Sequence, residues 1–254
     1  MSRPYRFPMP TRTDAELTFL EKLEAAARAS QTSYVEKFMN AALWMPRQQL
    51  ARLLAQWSVY QKAREIHGSI VDCGVAFGAS TLAWANFIAT TDPYCHSKRV
   101  IAFDTFEGFP ALDEADNGPE SGQGLGRVGG MAAPLDEEIA ALAALHDTNR
   151  PISHIPRVEL VKGDACKTIP AYVAANRHLV ISLLSLDFDL YQPTRVALDC
   201  FLPLMPRGAV VLFDEANCKD WPGESVALKE SGLLSRGRLL RCEYTSTTSY
   251  MVLE

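Results

Sequence analysis

Acids and glycines in this chain fall where apolar runs of strand length end. The run Ser69-Ile70-Val71-Asp72-Cys73 leads into Gly74-Val75-Ala76-Phe77-Gly78, and a second, Arg99-Val100-Ile101-Ala102-Phe103, ends in Asp104. Gly74 and Gly78 let the backbone turn tightly and pass close to a ligand. A carboxylate at Asp104 can accept both hydroxyls of a ribose. Dinucleotide sites carry a glycine where this chain has Ala76, and the acid Asp72 beside the turn would repel a pyrophosphate. An anion there suits a ligand with sulfonium and ammonium groups, which points to S-adenosylmethionine (SAM). The plain alternative is a strand-to-helix turn of some other α/β protein.

A second acidic group follows the same logic. Ser185-Leu186-Asp187-Phe188-Asp189 closes the run from Leu179, and Val210-Val211-Leu212-Phe213 ends in Asp214-Glu215. Open α/β sheets place their ligand crevice at the carboxyl ends of strands, and the stretch 193–208 has the length of one crossover helix, so Asp187, Asp214 and Glu215 should converge. Carboxylates at close range need neutralising, and a hard divalent cation with oxygen ligands, Mg²⁺, does so while leaving positions for substrate oxygens. Such a metal lowers the pKa of a hydroxyl, a carboxylate takes the proton, and the alkoxide attacks a methyl group in line. That is O-methylation. Capping of strand ends and plain exposure are the competing explanations of these acids. Asp189 rivals Asp187 as ligand or base, and His146, His154 and His178 are rival bases, although none of the three lies at the carboxyl end of an expected strand.

The elements that must position these groups alternate. Strands are expected at 69–73, 99–104, 157–162, 179–187 and 208–213, and helices near 79–89, 135–146, 167–176 and 194–204, followed by an antiparallel pair at 238–244 and 247–253. The fold class is therefore α/β, a doubly wound, mostly parallel seven-stranded sheet, over residues 67–254. Residues 1–66 form an arm and a helical cap. Thr13 or Asp14 caps a helix with Leu17, Leu20 and Leu23 on one stripe, and two helices span 33–63 with a break at Met45-Pro46. Phe38, Leu43, Trp44, Leu50, Leu53, Leu54 and Trp57 exceed one buried stripe, so some are candidates to face a partner subunit, an active site or an aglycone, although ordinary core packing explains any single one of them. The glycine-rich, acidic segment 110–134 has little apolar content and reads as a mobile lid over the cofactor. Tyr191 and Trp221 are candidates to stack on a sugar ring.

The chain has 254 residues and a net charge of -5. No basic cluster suggests nucleic acid, and no apolar run approaches the roughly 18 residues of a membrane span. The six cysteines include no C-x-x-C pair, which suits reduced packing residues in the cytoplasm.

The segments 71–78, Phe103-Asp104-Thr105-Phe106-Glu107-Gly108-Phe109-Pro110, Leu160-Val161-Lys162-Gly163-Asp164, Leu186-Asp187-Phe188-Asp189-Leu190-Tyr191-Gln192-Pro193-Thr194 and Phe213-Asp214-Glu215 together resemble the macrocin O-methyltransferase (TylF-type) family. The likeness covers roughly residues 33–254. It implies a class I, Rossmann-like SAM methyltransferase that acts on sugar hydroxyls with Mg²⁺, and an oligomer of at least two subunits. It also implies that Asp72, Gly74, Gly78 and Ser80 surround the methionine part of SAM, Asp104 holds the ribose and Asp164 lies near the adenine. Asp187 would be base and metal ligand, with Asp214 and Glu215 completing the metal site. The family commonly has Asp-Asp where this chain has Asp214-Glu215, which puts the third ligand in question. The other functions consistent with these residues are a catechol- or phenol-type O-methyltransferase and a SAM-binding accessory protein without catalysis. A nicotinamide-dependent oxidoreductase is disfavoured by Asp72 and Ala76.

Overall fold

The computed structural model describes residues 13–117 and 125–254. Two compact units divide between Leu53 and Leu54. The first contains helices α1 (Asp14–Ala29), α2 (Tyr34–Met39) and α3 (Ala41–Trp44) and the start of α4 (Arg47–Ala63). Ser33 opens α2 with a reciprocal cap, its hydroxyl accepting from Glu36 N and the Glu36 carboxylate accepting from Ser33 N, so two orphan amides are satisfied together. The expected break at Met45-Pro46 is present between α3 and α4.

The second unit alternates as β1 (Ser69–Cys73), α5 (Ala79–Thr91), β2 (Val100–Asp104), α6 (Asp136–Asp147), β3 (Val158–Lys162), α7 (Ala165–Ala175), β4 (Ile181–Leu186), α8 (Tyr191–Phe201), β5 (Val210–Phe213), α9 (Pro222–Glu230), β6 (Leu240–Arg241) and β7 (Ser249–Val252). They form one seven-stranded sheet of order β3-β2-β1-β4-β5-β7-β6, parallel except for β7. Alternate side chains of the central strands face opposite layers. Val71, Phe103, Leu184 and Phe213 pack on Ile169 of α7, Leu198 and Phe201 of α8 and Leu228 of α9. Ile70, Val100, Leu183 and Val210 pack on Val59 and Tyr60 of α4 and Trp84 and Ile88 of α5. Burial on both faces explains why these strands read as continuous apolar runs.

The order reverses between β1 and β4, and there the two strand ends open the crevice of a doubly wound sheet. Two helices start two or three residues earlier than expected, for local reasons. α7 starts two residues early because the Asp164 carboxylate accepts from Cys166 N at 3.0 Å and nucleates it. α8 starts at Tyr191, which places Pro193 in the first turn, where a missing N–H costs nothing. α9 was not expected from the sequence, although Pro222 at its first position is a start signal.

Candidate active site at the carboxyl edge

The turn after β1 is built on one close approach. Gly74 has φ +88°, and a methyl group there would lie 1.8 Å from the Asp187 carbonyl oxygen. The hydrogen bonds of the strands continue past their ends at this point, from Gly74 N to Phe103 O at 2.9 Å and from Asp187 N to Cys73 O at 2.9 Å. The glycine loop and the acid after β4 are therefore one rigid junction. Gly78, at φ +80°, precedes α5 and leaves room for Ile139 of α6, while Ala76 takes a left-handed φ of 47°.

Asp72 has a different job from the one expected. It is fully buried, and its carboxylate accepts from Ser80 Oγ at 2.9 Å, Thr81 Oγ1 at 2.6 Å and Trp84 Nε1 at 3.1 Å. Its acceptor positions are used in stapling α5 to β1, and Ser80 is committed to the same bond, so Asp72 presents no face to a ligand. Burial raises the Asp72 pKa, opposed by these hydrogen bonds. We expect Asp72→Asn to lose about 2 kcal/mol in urea unfolding, because an amide nitrogen then meets donors. A raised native pKa adds stability on acidification through the range just above the ordinary aspartate value, so the gap between wild type and variant should widen as pH falls there. A gap that narrows would show the carboxylate to be stabilised in its charged form.

Asp104 sits at the end of β2 as expected, yet it also closes the glycine turn. Oδ2 accepts from Val75 N at 2.7 Å and Ala76 N at 2.9 Å, and Oδ1 accepts from Phe106 N at 2.7 Å. Both lone-pair directions of Oδ2 are taken, so Oδ1 is the atom left to receive a hydroxyl. Asp164 combines its cap on α7 with an ion pair from Oδ2 to Lys167 Nζ at 3.1 Å.

The second acidic group converges. One carboxylate oxygen from each of Asp187, Asp214 and Glu215 lies within 4.8 Å of the others, the grouping that would hold a cation among the described residues. Burial, and then the charges of Asp189, Asp214, Asp187 and Glu224, push the Glu215 pKa well up. Glu215 Oε2 is buried with no hydrogen-bond partner. Three hard oxygen donors, like-charged and one of them lacking a donor, are a set that a divalent cation completes. The extra methylene of Glu215 therefore does not take it out of the cluster. Thr248 Oγ1, from β7's entry, donates to Asp214 Oδ1 at 3.1 Å and fixes that carboxylate. Asp189, at φ +61°, belongs to the same charged neighbourhood.

The sequence reading missed Glu224. In the first turn of α9 an acid reads as a partner for the helix dipole. Here it is 0% exposed, and its Oε1 accepts from Glu215 N at 3.0 Å.

Tyr191 donates its hydroxyl to Glu230, the last residue of α9, at 2.6 Å. Trp221 packs edge-on against Phe109, with centroids 5.7 Å apart. His154 and His178 precede β3 and β4, and His146 lies in the last turn of α6, so all three sit toward the amino edge of the sheet. The expected lid lies partly outside the described residues, at 118–124. Its described flanks are tied down. Phe109 N donates to Gly130 O at 3.0 Å, Gly129 N to Phe109 O at 2.9 Å, Tyr191 N to Asp116 Oδ1 at 2.7 Å and Gln192 Nε2 to Asp113 Oδ2 at 2.8 Å. Asp116 thus supplies from outside the cap that Leu190 cannot give α8.

Comparison with known proteins places the fold among methyltransferases. Among solved structures, a calicheamicin methyltransferase is similar over 95% of this chain and 93% of that one, at 29% identity and a TM-score of 0.88. An apo structure described as a TDP-rhamnose 3'-O-methyltransferase of calicheamicin biosynthesis matches at 28% identity and 0.80, covering 95% of each chain. The O-methyltransferase NovP shares the fold at 18% identity and 0.62, over 80% of this chain and 79% of its own. No curated protein sequence matches. A family model described as a methyltransferase domain matches residues 71–216, from the first strand through the acids after β5, and the chain belongs to that methyltransferase-domain family.

Proposed function

We propose that the protein is a SAM-dependent O-methyltransferase that methylates a sugar hydroxyl with the help of a divalent cation. The acceptor would be a nucleotide-linked deoxysugar or a glycosylated natural product. The observation that carries this reading is the meeting of Asp187, Asp214 and Glu215 within 4.8 Å, one backbone contact away from the Gly74 turn. Similarity to a TDP-rhamnose 3'-O-methyltransferase over nearly the whole chain supports a sugar acceptor.

In this reading Gly74, Gly78 and the amides of the turn border the methionine part of SAM, Oδ1 of Asp104 receives a ribose hydroxyl, and Asp164 lies toward the adenine. Asp187, Asp214 and Glu215 would hold Mg²⁺, which would supply a lowered pKa of an acceptor hydroxyl. An aliphatic hydroxyl is a weak acid, so the site needs a base as well. The Asp187 carboxylate would accept that proton, and SAM, when bound, would supply the methyl group and leave as S-adenosylhomocysteine. The junction between Gly74 and Asp187 keeps the base and the methyl donor in fixed relation.

Incubation with SAM and a panel of nucleotide-linked deoxysugars, followed by mass spectrometry, tests the proposal. Methylated sugar in Mg²⁺ and none in EDTA supports it. Methylation of catechols alone, or undiminished turnover in EDTA, rules it out.

The reading includes a homo-oligomer. Tyr34, Val35, Phe38, Met39 and Leu43 are each at least two-thirds exposed on two short consecutive helices. So large an apolar patch is the kind of surface that a second copy of the chain covers. Phe38→Glu should then lower the molar mass by light scattering to that of a monomer; an unchanged mass would assign the patch elsewhere. The six free cysteines suit a reducing compartment, and the proposed location is the cytoplasm. Among the described residues no helix is long and apolar enough to cross a membrane.

A further inference from the structure

Glu224 is the buried acid for which the chemistry above has no use. It is 0% exposed, it comes from α9 and not from a strand end, and it lies against the corner that carries Asp214 and Glu215. Its two oxygens behave differently. Oε1 accepts the Glu215 amide at 3.0 Å, while Oε2 is buried with no hydrogen-bond partner. A buried oxygen that accepts a backbone amide fixes the chain at that point, and its removal would leave the Glu215 amide unpaired. The element that carries it is placed deliberately. Gly223 is packed so closely that a methyl there would lie 2.1 Å from Asp116 Oδ1 and 2.5 Å from Tyr191 N, so α9 cannot slide along α8. Pro222 fixes the entry of the helix one residue earlier.

We infer that Glu224 is a positioning residue for the cation site: by accepting the Glu215 amide it fixes the Asp214-Glu215 corner so that both carboxylates reach the same ion as Asp187. From the other side Thr248 fixes Asp214, so the corner is held by one group from α9 and one from the last hairpin. Partners that orient metal ligands in this way typically change metal affinity by about ten- to a hundred-fold when removed. This inference rests on the metal-assisted reading.

The test uses Mn²⁺ alone as probe, titrated by electron paramagnetic resonance into the full-length protein, with S-adenosylhomocysteine (SAH) affinity measured in parallel. Three variants separate the roles of Glu224. Glu224→Gln keeps an acceptor for the amide, Glu224→Met keeps the volume and loses the acceptor, and Glu224→Ala loses both. The expected result is that Mn²⁺ binds the Gln variant within about three-fold of wild type and the Met and Ala variants at least about ten-fold more weakly, with SAH affinity unchanged. Wild-type Mn²⁺ affinity in the Met and Ala variants would overturn the inference. So would a Gln variant as weak as Met, because charge and not the accepted hydrogen bond would then matter. Loss of SAH binding in both the Met and Ala variants would make Glu224 a folding residue and overturn it too. A wild-type protein that binds no Mn²⁺ would instead remove the metal-assisted reading on which the inference stands.

Discussion

Asp187→Asn should stop turnover while leaving SAH affinity within about two-fold of wild type. The side chain lies in the acid cluster, whereas the part of Asp187 that touches the cofactor turn is its backbone, through the Asp187 N to Cys73 O bond and the carbonyl against Gly74. An amide of the same size preserves both backbone contacts and removes the proton acceptor together with one anionic ligand. Loss of a general base alone costs about a hundred- to ten-thousand-fold, and a missing ligand adds to it. A fall of about a thousand-fold or more in kcat is therefore expected, measured by product formation at saturating SAM. If SAH binding fell in parallel, Asp187 would be holding the fold and not the reaction. If Asp189→Asn stopped turnover and Asp187→Asn did not, the base would be the neighbour two residues on.

Gly74→Ala should abolish SAM binding and destabilise the protein by about 4 kcal/mol, the sum of a strained positive φ and an overpacked contact. The added carbon would meet the Asp187 carbonyl at 1.8 Å, and what stands there is backbone, not the flexible end of a side chain. Relief requires β1 and β4 to part at their carboxyl ends, which moves the Gly74 turn and Asp187, the proposed base, together. Gly129→Ala is the control. Its φ of +73° is similar, but nothing lies within 4 Å of an added carbon, so only the conformational cost of about 1–2 kcal/mol remains. Thermal unfolding and SAH calorimetry on both variants separate the two costs. Equal losses in the two would refute the close-approach explanation.

The central strands were legible because they are buried on both faces, and the acids that converge stand within two residues of their ends. The convergence of Asp187, Asp214 and Glu215 was legible for that reason, since position along a parallel strand fixes which edge a residue occupies. What side chains do at that edge was less legible. Asp72 and Asp104 occupy similar places at the ends of β1 and β2, yet Asp72 turns into the α5 layer to meet Ser80, Thr81 and Trp84, while Asp104 turns toward the glycine loop. Nothing in the local sequence separates a buried staple from a ligand contact. Glu224 was hidden for a different reason. Its importance comes from packing of α9 against α8 through Gly223, a contact between segments distant in sequence, and an acid in a first helical turn has an ordinary local explanation. The segment 110–134 read as loose because its composition is polar, but Asp113 and Asp116 are bonded to the start of α8, and polar side chains can anchor a loop as firmly as apolar ones.

The most direct test of the central claim, that one carboxyl-edge crevice holds SAM and a cation in adjoining places, is a calorimetric titration in three stages: SAM alone, SAM with Mg²⁺, and then a nucleotide-linked deoxysugar added to each. SAM should bind in both conditions, because its contacts at Gly74, Gly78 and Asp104 are separate from the three carboxylates. The sugar should add heat only where Mg²⁺ is present. Failure of SAM to bind would contradict the cofactor assignment of the β1 turn, and a sugar that binds equally well in EDTA would contradict the role given to Asp187, Asp214 and Glu215.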